Sequence, residues 1–251
     1  MDGRIALFDM DGTLFDYDGQ LNADLQKLCS PEEVLPKNLY DWPNNPSWLN
    51  ARIELIRRQP GWWRNLPRLE IGWQILRACQ EIGFCCHILT KGPRSKSVAW
   101  MEKLDCINDH LGEEFPVNIV NGGADDGKDK SNNYGRLLVD DFPPFVEGWL
   151  KNRKRGLGVM PAGPTNVNFT HSDVLRYRGP EDMPELRRLL QAVYDRSPKQ
   201  HWRDYLFQQE RERNLKEVRA ALMAAVKQPQ ESSTIEVGNQ EVVRVAPPYV
   251  R

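Results

Sequence analysis

Five short apolar runs, three of them closing on polar side chains, constrain this chain more than any other feature. Ile5-Ala6-Leu7-Phe8 ends in Asp9, residues 84–89 end in Thr90, and Leu137-Leu138-Val139 ends in Asp140-Asp141. Residues 117–120 and, more weakly, 157–160 complete the set. The first run lacks polar alternation, the pattern of a strand buried on both faces. Between the runs the period changes. Ile71, Ile75, Leu76 and Cys79 recur at helical spacing within 69–82, and Val98, Met101, Leu104 and Ile107 repeat the pattern. Strands alternating with helices predict an α/β fold, a three-layer parallel sheet with helices on both faces. Ligands of such sheets bind at the carboxyl ends of strands near the switch point. Asp9, Thr90, Asp140 and Asp141 all fall at strand ends, which is the first functional signal.

Two spans depart from the alternation. Residues 15–67 are rich in Trp, Pro and Asn, with helical patches near 21–28 and 48–57, and read as a small helical cap inserted after the first strand. The expected catalytic core is therefore 1–14 with 68–178. From 179 to 227 a C-terminal helical extension is predicted. Its first helix carries Leu186, Leu189, Leu190 and Val193. Ser197-Pro198-Lys199-Gln200 resembles a capping box opening a second helix through Leu215, Val218, Leu222 and Val226. That apolar stripe must bury against something, the core or a second subunit, so a homo-oligomer through these helices is an open expectation. Residues 228–251 are polar and read as a loosely ordered tail.

Composition narrows the functional classes. The 251 residues carry 34 Lys+Arg against 35 Asp+Glu, a net charge of −1, which gives no global argument for nucleic acid or an anionic membrane. No apolar run reaches the roughly 18–20 residues of a membrane span. The acidic N-terminus lacks the apolar stretch of an export signal, so a cytoplasmic protein is expected. Five cysteines, an odd number without paired zinc spacing, argue against a disulfide framework or a zinc site.

The chemistry concentrates in Asp9-Met10-Asp11-Gly12-Thr13. In an extended segment residues i and i+2 point the same way, so Asp9 and Asp11 can face one cleft, and Gly12 lets the chain turn at once. Close carboxylates repel unless a cation or proton lies between them. With Asp140 and Asp141 at the end of another strand, an oxygen-only ligand set suits Mg²⁺. A carboxylate can attack phosphorus, and a second carboxyl can protonate the leaving oxygen and then activate water. Mg²⁺ and a lysine, Lys128 or Lys130, can neutralise the transferring phosphoryl group, to which Thr90 offers a hydroxyl.

As a set, these residues resemble the haloacid dehalogenase-type phosphatases. DMDGTLFD (Asp9 to Asp16) is similar to their first motif and Ile88-Leu89-Thr90 to the second. Asp129-Lys130 followed by Leu137 to Asp141 is similar to the third and fourth. The order covers about residues 1–160. The segments Trp62-Trp63-Arg64-Asn65-Leu66-Pro67 and Val98-Ala99-Trp100-Met101-Glu102-Lys103, with Leu111-Gly112, resemble the 5′(3′)-deoxyribonucleotidases. The resemblance implies a Rossmann-like core and a small-molecule phosphate monoester, a deoxynucleoside monophosphate, as substrate. It makes Asp9 the nucleophile and Asp11 the general acid/base. Asp9, the Asp11 carbonyl and Asp141 would hold Mg²⁺, with Asp140 beside them. Thr90 and Lys130 would bind phosphate, with Lys91 as an added contact. Phe15, Trp62 and Trp63 could stack on a base, and Arg64 is either a substrate contact or a salt-bridge partner within the cap.

Departures accompany the likeness. Lys91-Gly92-Pro93 stands where these relatives more often place a serine, and Gly122 to Lys128 form an unusual Gly/Asp-rich loop. Fold does not fix substrate. A sugar phosphate or a nucleic-acid 3′ end, the latter using Arg52, Arg57, Arg58, Arg64 and Arg68 or the basic run Lys151-Asn152-Arg153-Lys154-Arg155, is the alternative within the same chemistry. A non-catalytic binding or scaffold protein is the alternative outside it.

Overall fold

The computed structural model describes residues 3–36, 39, 44–93, 97–121 and 128–227. In chain order the elements are β1 (Ile5–Phe8), α1 (Tyr17–Leu28), α2 (Ser47–Arg57), α3 (Glu70–Ile82), β2 (Cys85–Gly92), α4 (Ser97–Leu111) and β3 (Val117–Asn121). Then follow α5 (Lys128–Ser131), β4 (Leu137–Val139), α6 (Pro143–Asn152), β5 (Leu157–Pro161), β6 (Val174–Tyr177), α7 (Met183–Asp195) and α8 (Trp202–Lys227). The strands form one sheet in the order β3-β2-β1-β4-β5-β6, and every pairing is parallel.

Period-two geometry explains why β1, β4 and β5 are apolar throughout. Ala6 and Phe8 of β1 point to one face, with Ile88, Val139 and Val159, into a core shared with α3 and α7. Leu7 points to the other, with Leu89, Leu138 and Met160, against Val146, Trp149 and Leu150 of α6. Both faces are covered, so the expected three-layer α/β arrangement is present. The five expected strands are joined by a sixth, β6, whose half-buried residues give no clear apolar run.

Strand order positions the site. The chain builds outward from β1 through β2 to β3, then returns to place β4 on the other side of β1. The switch point lies between β1 and β4, and Asp9 and Asp140-Asp141 are the residues that leave these two strands. The Asp9 N–H donates to Val139 O at 2.8 Å, which locks the two ends together.

The chain divides into two compact units, Met1–Phe207 and Gln208–Arg251. Helix α7 belongs to the first. Leu186, Leu189, Leu190 and Val193 are buried as their spacing predicts, and α7 packs on α3 and β6. Arg136, itself buried, donates through Nη1 to the carbonyls of Val193, Tyr194 and Arg196 at 2.9–3.1 Å. Two helical features differ from the sequence reading. α8 begins at Trp202, because Ser197 and Gln200 close a turn (Gln200 N to Ser197 O, 3.2 Å) rather than a capping box. The buried face of α4 is Ala99, Glu102, Lys103, Cys106 and Ile107, whereas Val98, Met101 and Leu104 are exposed. The apolar stripe predicted there is offset because two of the positions facing inward are charged. The Gly122 to Lys128 loop lies outside the described residues apart from the backbone of Lys128, as does the tail 228–251.

Candidate active site

The turn after β1 is built by its own backbone. Leu14 and Phe15 both donate to Met10 O at 2.9 Å, and Gly12 donates to Phe15 O at 2.9 Å. Gly12 sits at φ +74°, where a side chain is strained, and an added Cβ would lie 2.7 Å from Asp141 Oδ2. Glycine is therefore required twice, for the turn and for the approach of the fourth-motif acid. Gly72 of α3 packs so tightly under the turn that a Cβ would overlap the carbonyl of Thr13.

Within this frame Asp9, Asp140 and Asp141 each bring one carboxylate oxygen to within 4.8 Å of the others. Lys130, 1% exposed, reaches in from α5 and donates to Asp9 Oδ1 at 2.5 Å and Asp140 Oδ2 at 2.7 Å. Burial works against its charge, but Asp140 and Asp9 outweigh burial and hold the ammonium above its ordinary range. Asp140 also accepts from Phe142 N at 3.0 Å. Asp141 is braced from two loops. Thr13 Oγ1 accepts its N–H at 3.1 Å, Thr165 Oγ1 donates to its Oδ2 at 3.2 Å, and Asn166 Nδ2 donates to its carbonyl at 2.9 Å.

This cluster is short of positive charge. Burial pushes Asp140 up to about 6, and burial reinforced by Asp140 and Asp9 pushes Asp141 well above the usual carboxylate range. Asp140 and Asp141 thus hold their protons more tightly than free carboxyls, and a further cation would relieve them. The donor set is all oxygen, which fits a hard divalent ion.

Asp11 is held by a different lysine. Lys103 Nζ donates to Asp11 Oδ2 at 2.5 Å, to Thr90 Oγ1 at 3.0 Å and to the Lys91 carbonyl at 2.8 Å. Asp11 Oδ1 is shielded from solvent and has no hydrogen-bond partner. Burial raises the Asp11 pKa despite Lys103. Thr90, near the end of β2, is buried beside it.

The remaining candidates take other partners. Lys91 Nζ lies 4.5 Å from the centre of the Phe145 ring, and Lys130 Nζ lies 4.7 Å from the same ring. Phe15 is fully buried, edge-on to Trp73 and His110, and presents no face to a base. Trp62 and Trp63 pack on Tyr17, their indole N–H groups donating to Asp24 Oδ2 (2.9 Å) and the Arg57 carbonyl (3.0 Å). Their buried rings pack against one another and Tyr17 within the 15–67 segment. Arg64, half exposed, forks onto Asp109 of α4 at 2.6 and 2.8 Å, a salt bridge whose partner lies outside the 15–67 segment. The other arginines of the first basic cluster have partners of their own: Arg52 with Glu33, Arg57 with the Tyr17 hydroxyl, the exposed Arg58 near Glu54, and Arg68 over the Trp73 ring.

Three contributors carry no assignable role in the sequence alone. Thr13 is legible inside Asp-x-Asp-Gly-Thr, and Lys103 inside the Trp100-Met101-Glu102-Lys103 segment, but neither has a partner that spacing can name. Asn166 follows β5 with no sequence signal at all. The five cysteines are free, as expected. Among the described residues no helix is long and apolar enough to cross a membrane.

No protein-family model matches the chain, and no curated protein does. Solved structures are similar to it at low identity. YfnB of Bacillus subtilis, described as a HAD-hydrolase bound to magnesium, gives a TM-score of 0.47 at 12% identity, covering 76% of this chain and 99% of that one. A haloacid dehalogenase-like hydrolase of Burkholderia xenovorans LB400 gives 0.41 at 16%, covering 77% and 98%. Phosphoserine phosphatase of T. onnurineus gives 0.37 at 17%, covering 78% and 96%.

Proposed function

We propose that this chain is a Mg²⁺-dependent phosphomonoesterase of the haloacid dehalogenase type, with Asp9 as nucleophile. The observation that carries the reading is the meeting of Asp9, Asp140, Asp141 and Lys130 at the β1/β4 switch point. A scaffold has no need of three clustered carboxylates, two of them buried, that repel one another. Asp9, the Asp11 backbone carbonyl and Asp141 would hold Mg²⁺, with Asp140 beside them. When bound, the ion supplies charge neutralisation to the transferring phosphoryl group.

The chain's own residues divide the remaining work. Thr90 and Lys130 hold the phosphate, with Lys91 near the same ring as Lys130. The Asp9 carboxylate attacks phosphorus as the ester bond to the leaving oxygen breaks, giving an aspartyl phosphate. Asp11 gives its proton to that oxygen. It then takes a proton from the water that attacks the aspartyl phosphate, releasing inorganic phosphate and regenerating Asp9.

Within this class we place the substrate among (deoxy)nucleoside monophosphates, on the likeness of residues 62–67 and 98–103 to 5′(3′)-deoxyribonucleotidases. Base recognition would then come from groups other than the Phe15 ring. Phosphate release, with and without Mg²⁺, across nucleotides, sugar phosphates, short 3′-phosphorylated oligonucleotides and p-nitrophenyl phosphate tests both levels. Preference for a nucleoside monophosphate supports the finer reading, and preference for a sugar phosphate overturns it. No release from any ester overturns the phosphatase and favours the scaffold.

Self-association through α8 is part of the proposal, because Leu215, Val218, Leu222 and Met223 are each at least half exposed. Light scattering of the full chain against a Leu215→Glu/Leu222→Glu variant tests it. Equal masses remove it. Truncation at Gly179 would not serve, because it deletes the buried face of α7.

A further inference from the structure

The residue left without a role by the proposed reaction is Lys103. It is as buried as the core, 1% exposed, and projects from α4, an element that contributes no motif acid. An ammonium has three N–H groups, and Lys103 has three acceptors: Asp11 Oδ2, Thr90 Oγ1 and the carbonyl of Lys91. All of its donors are engaged, so it has none left for a substrate phosphate without breaking one of these bonds. Two of its acceptors are side chains with roles in the proposed reaction, and they come from the ends of different strands, β1 and β2.

We propose that Lys103 is a positioning residue, resting on the reaction above. It holds the Asp11 carboxyl in one rotamer and, by donating to Thr90 Oγ1, leaves the threonine hydroxyl proton to donate to the phosphate. Glu102 extends the connection. It is buried, and its carboxylate accepts from Gly61 N at 2.6 Å and Trp63 N at 3.2 Å, while Lys103 Nζ lies 5.0 Å from the centre of the Trp63 ring. Adjacent residues of one helix therefore grip the cap-side loop and the acid/base. The register of α4 fixes both, so the loop at 61–63 and Asp11 move as one body.

The test is a cycle of four proteins: wild type, Lys103→Met, Asp11→Asn and the double variant, each checked for folding by thermal denaturation. With p-nitrophenyl phosphate and Mg²⁺, Lys103→Met should lower kcat by about 10–100-fold in the wild-type background, the scale of a displaced catalytic group. In the Asp11→Asn background it should lower kcat less than about 3-fold, because its main partner in catalysis is already gone. Inorganic phosphate should inhibit both Lys103→Met proteins several-fold more weakly than their parents, reporting the Thr90 hydroxyl. A merely structural lysine would lower kcat by one factor in both backgrounds and leave phosphate inhibition unchanged, and that result overturns the proposal. Should Lys103→Met alone fail to fold, the double variant removes both charges, and weakened phosphate binding relative to Asp11→Asn decides the matter by calorimetry. A wild type without activity on any ester removes the phosphatase reading itself. An active wild type with an unaltered Lys103→Met removes only the positioning role of the lysine.

Discussion

The two buried lysines of the site do opposite things with the same group. Lys130 is held by two carboxylates, Asp9 and Asp140, and balances charge in a cluster that still has too little of it. Lys103 is held by one carboxylate and two neutral oxygens, and fixes directions rather than charge. The first comes from a helix leading into a motif strand, at a spacing from Asp140 that points it out. The second comes from a helix between motifs and is seen only when the chain is folded. A catalytic cluster needs both kinds of cation: one to make the acids tolerable, another to make them point.

The largest effect should come from Asp9, the proposed nucleophile, which Lys130 holds. Asp9→Asn removes it with little change of volume, and turnover should fall by at least about a thousand-fold, as when other enzymes lose a nucleophile. Circular dichroism should be unchanged. Phosphate release within ten-fold of wild type would place the nucleophile elsewhere.

Stability separates the lysines next. Lys130→Met leaves Asp9 and Asp140 buried without their shared cation, and should cost about 3–5 kcal/mol. Lys103→Met strands one carboxylate and two neutral acceptors and should cost less, about 1–3 kcal/mol. Chemical denaturation of both variants at pH 7.5 without metal checks the order. Equal losses would mean that the cluster around Lys130 is not short of cation after all.

How much of this is legible in the sequence follows the same division. The central runs β1 and β4 announce the sheet because burial on both faces leaves them no polar position to confuse the period. The acids at their ends announce the site because topology delivers them to one point. The α4 face escapes the pattern because the rule that apolar residues face inward fails where the inward positions are working charges. Val98, Met101 and Leu104 have the correct spacing but face solvent, while Glu102 and Lys103 lie beneath. The aromatic residues of 15–67 allow both packing and base stacking from the sequence, and the structure buries Phe15, Trp62 and Trp63 among their neighbours. Asn166 bracing Asp141 needs the β5 loop to return over β4, which no local pattern encodes.

The charge deficit around Lys130 makes a pH prediction with a definite sign. Asp140, raised to about 6, and Asp141, raised further, keep protons in the metal-free folded state that the unfolded chain has already released. Between the ordinary carboxylate range and pH 6 the folded state therefore binds more protons, and these groups destabilise the metal-free protein as pH rises through that window. Mg²⁺ must expel the same protons, so its stabilisation should grow as pH rises. Thermal denaturation with and without millimolar Mg²⁺ should show a larger upward shift at pH 7.5 than at pH 5.5, and Asp141→Asn should reduce the shift at pH 7.5. A shift independent of pH would remove these carboxylates from the ion's ligands.

The smallest expected effect probes the far end of the Lys103 connection. Glu102→Gln keeps the shape of the side chain but leaves one acceptor oxygen for two N–H donors, because Gly61 N and Trp63 N bond to different carboxylate oxygens. One N–H is left facing the new amide, so the loss should be about 1–3 kcal/mol in stability. Its kinetic signature decides between two pictures. If α4 only packs, kcat and KM stay at wild-type values once the protein is folded. If the helix carries the position of the 61–63 loop to Asp11, kcat falls about 2–5-fold, and the fall disappears in the Lys103→Met background, where the connection is already cut. A Glu102→Gln enzyme slowed equally with and without Lys103 would leave Lys103 holding Asp11 but detach the cap-side loop from it.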